Sequence, residues 1–202
     1  EIDTNGKSVT LTQPIYTYCT TKFIDSVGTG SLHNIRTNTI QNSGTMNIES
    51  GNYTTEKGNA LYNSGTLTMN GGYYTSDDTY PIRNSGTLIF EDGLIESEKT
   101  YAVINSGNFT MNHGEIKTYG GITNSGTLTL GTNSEPVSIT VPSISGSTYG
   151  IQNSGTFNFY DGIINGQTQA ITGSVAGKPE HYKVQTVDNN RTAYLDLESN
   201  TK

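Results

Sequence analysis

Tryptophan is absent from this 202-residue chain, cysteine occurs once, proline five times, and Asp, Glu, Lys and Arg together make up only 14%. Each shortage excludes something. A single cysteine, Cys19, rules out an internal disulfide and a cysteine zinc cluster. The 11 Lys and Arg do not cluster and face 18 Asp and Glu, for a net charge of −7, so the basic footprint that releases counterions from nucleic acid is missing. Nucleic acid is not an expected partner. No run of about 18 apolar residues is present, so no membrane insertion is expected, and no leader pattern opens the chain. A sequence that starts at Glu1 rather than Met is expected to be a piece of a longer polypeptide, monomeric within it.

With 31% hydrophobic residues, composition alone leans toward disorder. Two features oppose that reading. Thirteen Tyr and abundant Thr favour extended, half-buried backbone, and the 24 Gly recur at fixed positions rather than in a flexible tract. The governing pattern is a tetrapeptide, Asn-Ser-Gly-Thr or Asn-Ser-Gly-Asn, whose Asn stands at Asn42, Asn63, Asn84, Asn105, Asn124 and Asn153, with spacings of 21, 21, 21, 19 and 29. A period near 20 marks a solenoid in which each repeat is one coil.

Alignment on that Asn separates the inside from the outside. Two positions before it stand Ile40, Leu61, Ile82, Val103, Ile122 and Ile151; four after it, Met46, Leu67, Leu88, Phe109, Leu128 and Phe157; six after it, Ile48, Met69, Phe90, Met111, Leu130 and Phe159. The intervening column, Asn47, Thr68, Ile89, Thr110, Thr129 and Asn158, completes the two-residue alternation of a strand with one buried face. Tyr53, Tyr74, Ile95, Ile116 and Ile164 supply a further inward column, each two residues after a corner glycine. The pattern predicts an all-β, right-handed parallel β-helix with about 21-residue coils of three short strands. Residues 1–39 are read as irregular N-terminal coils, 40–172 as regular coils and 173–202 as a C-terminal cap, all in one domain. Within the cap, Tyr182 to Val187 and Thr192 to Leu197 read as a hairpin around Asp188-Asn189-Asn190. The 29-residue spacing predicts an insertion around Asn133 to Gly146.

Residues Ala60 to Thr75 (ALYNSGTLTMNGGYYT) and Gly150 to Gly162 (GIQNSGTFNFYDG) resemble the I-x-N-S/N-G-T-L-T-I-x-G-G repeats of large surface proteins of Gram-positive Firmicutes. The resemblance covers about residues 40 to 172. It implies the pectate-lyase-like form of the β-helix and a secreted, cell-surface, adhesin-like role.

Candidate sites follow from the columns. The Asn side chains are expected to point into a corner and form a structural ladder rather than a ligand stripe. Glu56, Asp77 and Glu98 stack at coil spacing, as a glycosidase pair requires, but the neighbouring Lys57, Asp78 and Lys99 suggest an exposed charge ladder instead. His33, His113 and His181 lack metal-ligand spacing, and His113 has an acid nearby in sequence, Glu115. No metal or cofactor is expected. Outward Thr-x-Thr pairs are complete only at Thr66/Thr68 and Thr127/Thr129, too few for an ice-binding array. Aromatic side chains are the better binding candidates: Tyr62 and Tyr73 outward on neighbouring strands, and Tyr80 and Tyr101 in a column continued by Tyr149, with Tyr119 one place out of register. The expected function is a non-catalytic extracellular structural or adhesive module that binds glycan or a host or microbial surface protein. The alternative is a polysaccharide-active lyase or hydrolase.

Overall fold

The computed structural model describes residues 1–132 and 142–198, and among these there are strands and turns but no helix. Three sheets wind into a parallel β-helix of about eight turns. The first sheet has eight strands, among them Thr45–Ile48, Thr66–Met69, Thr87–Phe90 and Asn108–Met111. The second has ten, among them Asn52–Thr55, Tyr73–Ser76, Leu94–Ser97 and Glu115–Thr118. The third has eight, among them Leu61–Asn63, Ile82–Asn84, Val103–Asn105 and Ile122–Asn124. Successive coils stack in parallel register, Leu67 on Leu88 on Phe109 and Ile82 on Val103 on Ile122.

The alternation in sequence becomes an alternation of burial. Leu67, Met69, Leu88, Phe90, Phe109 and Met111 are buried, while Thr68, Ile89 and Thr110 between them stay partly exposed. Tyr53 and Tyr74 lie inside the core, their rings stacked with centroids 5.3 Å apart. Each hydroxyl donates to a carbonyl three residues back, of Ser50 and of Gly71, so the one polar atom of a buried phenol is satisfied. Their corner glycines, Gly51 and Gly72, have φ of 110° and 106°, which a residue with Cβ adopts only under strain.

The glycine of the tetrapeptide has a different cause. No positive φ occurs there; instead a Cβ on Gly65 would lie 2.1 Å from the Gly44 carbonyl oxygen, and one on Gly86 2.1 Å from that of Gly65. Only a bare Cα lets the coils approach at this corner.

The asparagine ladder forms as expected. Each amide donates to the next amide oxygen, Asn42 to Asn63, Asn63 to Asn84 and Asn84 to Asn105 at 2.8 Å, then Asn105 to Asn124 and Asn124 to Asn153 at 2.7 Å. Thr17 occupies the Asn place in the first coil, and its hydroxyl donates to the Asn42 amide oxygen at 2.7 Å.

Of the insertion expected around Asn133 to Gly146, residues 133–141 lie outside the described residues. Ser143–Gly146 is an ordinary strand of the second sheet, and its buried Ile144 stands on Ile116, a member of the inward column that the insertion hides in the sequence. At the C-terminal end the predicted hairpin is present: Thr192–Leu197 pairs antiparallel with both Ile163–Gly166 and Tyr182–Val187. Its turn residues Asp188, Asn189 and Asn190 all have positive φ.

Candidate binding surface

The corner between the second and third sheets carries a tyrosine on four successive coils: Tyr80, Tyr101, Tyr119 and Tyr149. Its length varies with the coil spacing. Five residues separate Ser97 from Val103, but only three separate Thr118 from Ile122, and this local deletion accounts for the 19-residue repeat. Shortening displaces Tyr119 by one place and leaves it 49% exposed, whereas Tyr80, Tyr101 and Tyr149 are partly buried. The Tyr80 and Tyr101 rings sit with centroids 6.2 Å apart at 47° to each other. Gly120 admits the second of these, since a Cβ there would meet the Tyr101 ring at 2.8 Å.

The four tyrosines, with Lys99, Thr100, Thr148 and Gln152, line an open groove of about 300 Å³. Its polar walls are held by the backbone of adjacent coils. The Thr100 hydroxyl donates to the Thr79 carbonyl at 2.7 Å, that of Thr148 to the Tyr119 carbonyl at 2.9 Å, and the Gln152 amide to the Gly120 carbonyl at 3.3 Å. Lys99 donates to the Asp77 carbonyl at 3.2 Å rather than to a carboxylate. The expected charge ladder is therefore only partly realised: neither Lys57 nor Lys99 is ion-paired among the described residues. Among the described residues no carboxylate or imidazole lines the groove.

The other tyrosine candidates are dispersed. Tyr62 lies on the outer face of the third sheet, where the Arg83 guanidinium of the next coil stands 5.5 Å from its ring centroid, a cation–π contact. Tyr73 lies on the outer face of the second sheet and donates to Glu96 at 2.7 Å. Burial first, and then the Glu96 carboxylate, push its hydroxyl pKa up to about 12. Tyr73, Asp77, Glu96, Glu98 and Lys99 line a separate, smaller depression of about 230 Å³.

One cluster escaped the sequence. Among the described residues His33, rather than His113, pairs with an acid: its Nε2 lies 3.6 Å from Glu56 and its Nδ1 2.7 Å from the Thr54 hydroxyl. The pairing comes from stacking, since Thr54 sits directly over His33 in the next coil. Lys99 and Gln152 also went unrecognised as groove residues, because their contacts are made between coils and leave no local motif. Among the described residues no group of three or more His, Cys, Asp or Glu is placed to hold a metal ion. Compared with family models, with curated proteins and with solved structures, the chain matches none, so the reading of its function rests on the geometry of these surfaces.

Proposed function

We propose that this β-helix is a non-catalytic extracellular module, structural along its length, that binds glycan in the tyrosine groove. The observation that carries the reading is the convergence of Tyr80, Tyr101, Tyr119 and Tyr149 on one groove whose walls offer hydroxyl, amide and ammonium groups. Aromatic faces stack on the apolar faces of sugar rings, while fixed polar groups meet the hydroxyls at their edges. The rigid parallel scaffold holds these groups in place before binding, which lowers the ordering cost of a weak, open site. The repeat resemblance is what supports a cell-surface location.

The test is a panel of plant, microbial and mucosal glycans applied to the purified chain, with Tyr101→Ala alongside. Binding that Tyr101→Ala weakens at least tenfold, without loss of thermal stability, is the expected result. Binding only to surface proteins, or glycan binding that ignores Tyr101, would overturn the glycan assignment. A second reading, polysaccharide cleavage, draws on the depression beside Tyr73, where Asp77, Glu96 and Glu98 gather. Product analysis of the same incubations decides it, since cleavage abolished by Glu96→Gln would replace the binding module with an enzyme.

A further inference from the structure

The geometry points to a linear glycan chain that lies parallel to the solenoid axis, one sugar ring to each coil; this inference rests on the glycan reading above and specifies the shape of its ligand. A site for a terminal sugar gathers its aromatics around one point. Here the tyrosines are instead displaced along one direction, a single residue from each of four adjacent coils at the same corner. Strands in register stack about 4.8 Å apart, so four coils set out a row on the order of 14 Å long. A 1,4-linked pyranose joined through equatorial bonds advances by nearly the same step per ring. An extended chain of such sugars therefore keeps pace with the coils, whereas a compact or branched glycan leaves the row after one contact.

The polar groups suit the same path. Thr100 and Gln152 each donate to a backbone carbonyl, and Ser97 donates to the Thr100 hydroxyl at 3.0 Å, which leaves one threonine lone pair and the glutamine amide oxygen as acceptors for sugar hydroxyls. Lys99 offers N–H donors on the opposite count. Lys99 and Thr100 share one coil and Gln152 lies two coils further on, so the polar groups are spread along the row and meet more than one ring.

The test is titration calorimetry with cello-, xylo-, manno- and chito-oligosaccharides of one to six rings. Affinity for at least one series rises with each ring up to four, by roughly three- to tenfold per ring, and then levels off. Tyr80→Ala and Tyr149→Ala, at opposite ends of the row, each bring the plateau forward by one ring, while Tyr101→Phe preserves it. Thermal melts confirm that each variant is folded. Affinity independent of chain length, with the single sugar competing as well as the tetramer, would overturn the axial path and leave the glycan reading standing. No binding in any of the four series, together with a glycan panel that binds through Tyr101, would overturn the axial path by identifying a different ligand shape. No binding in either experiment overturns both.

Discussion

At the scale of single residues, the asparagine ladder concentrates the consequences of one substitution. The Asn84 amide nitrogen faces three acceptors, the Asn105 amide oxygen at 2.8 Å, the Asn108 carbonyl at 3.0 Å and the Gly86 carbonyl at 3.2 Å, and its oxygen accepts from Asn63. The Asn63, Asn84 and Asn105 side chains are buried. Asn84→Ala leaves these groups without their partner and should cost about 1–3 kcal/mol. Asn84→Asp should cost more, because an ionised carboxylate brings a buried charge and no N–H for the same acceptors. Urea denaturation at neutral pH is expected to rank the native chain above the alanine variant and the alanine variant above the aspartate. Equal midpoints for Asn84→Ala and the native chain would mean that the ladder adds no net stability. The ladder was legible in sequence because its spacing from the inward columns is even. His33 beside Glu56 was not, because His33 belongs to a coil without the tetrapeptide, where nothing fixes the register to count from.

At the scale of the coil, the close approach at the tetrapeptide corner fixes what the sequence can tolerate. Around Gly86 the coils are locked together by Thr87 N–H to the Gly65 carbonyl at 2.9 Å and Ser85 N–H to the Asn63 carbonyl at 2.8 Å. A methyl group 2.1 Å from the Gly65 oxygen can be relieved only by breaking that stacking. Gly86→Ala should therefore destabilise by roughly 3 kcal/mol or more, and Ser85→Ala, at an exposed position, by less than about 1 kcal/mol. Thermal melts of the two variants check the difference, and similar losses would show that the corner can open. Here the sequence disclosed the glycine column but not its reason, since contact with a neighbouring coil is invisible until the coils are stacked. The inward column behaved likewise: Tyr53, Tyr74, Ile95, Ile116 and Ile164 could be read directly, but Ile144 only once its strand had been placed.

At the scale of the molecule, the two ends differ. At the C-terminal end Ala176 and Gly177 lie along the first sheet, Ala176 N–H meeting the Phe157 carbonyl at 2.7 Å, and the hairpin extends the second. At the N-terminal end Ile2 and Val9 stand in the inward columns over Phe23 and Leu32, yet are 39% and 41% exposed. That end is tied by Asp25, which accepts from the Gly6 and Gly30 amides. Burial alone would raise the Asp25 carboxyl, but these backbone donors outweigh it and hold its pKa below the ordinary value. A depressed folded pKa gives stability that is present above the unfolded value of about 3.9 and is lost as pH falls through the folded value. The melting temperature should thus drop below about pH 4, and Asp25→Asn should flatten that drop while lowering stability at neutral pH. Identical pH profiles for the two proteins would remove Asp25 from the account. The direction of the bonds between coils has a mechanical outcome as well. They run along the solenoid axis, so tension applied between the termini opens them in sequence rather than shearing whole sheets at once. Each freed coil of 21 residues releases on the order of 70 Å of extended chain. Under load the molecule would lengthen in steps and dissipate work at each one, as a shock absorber does in a tether.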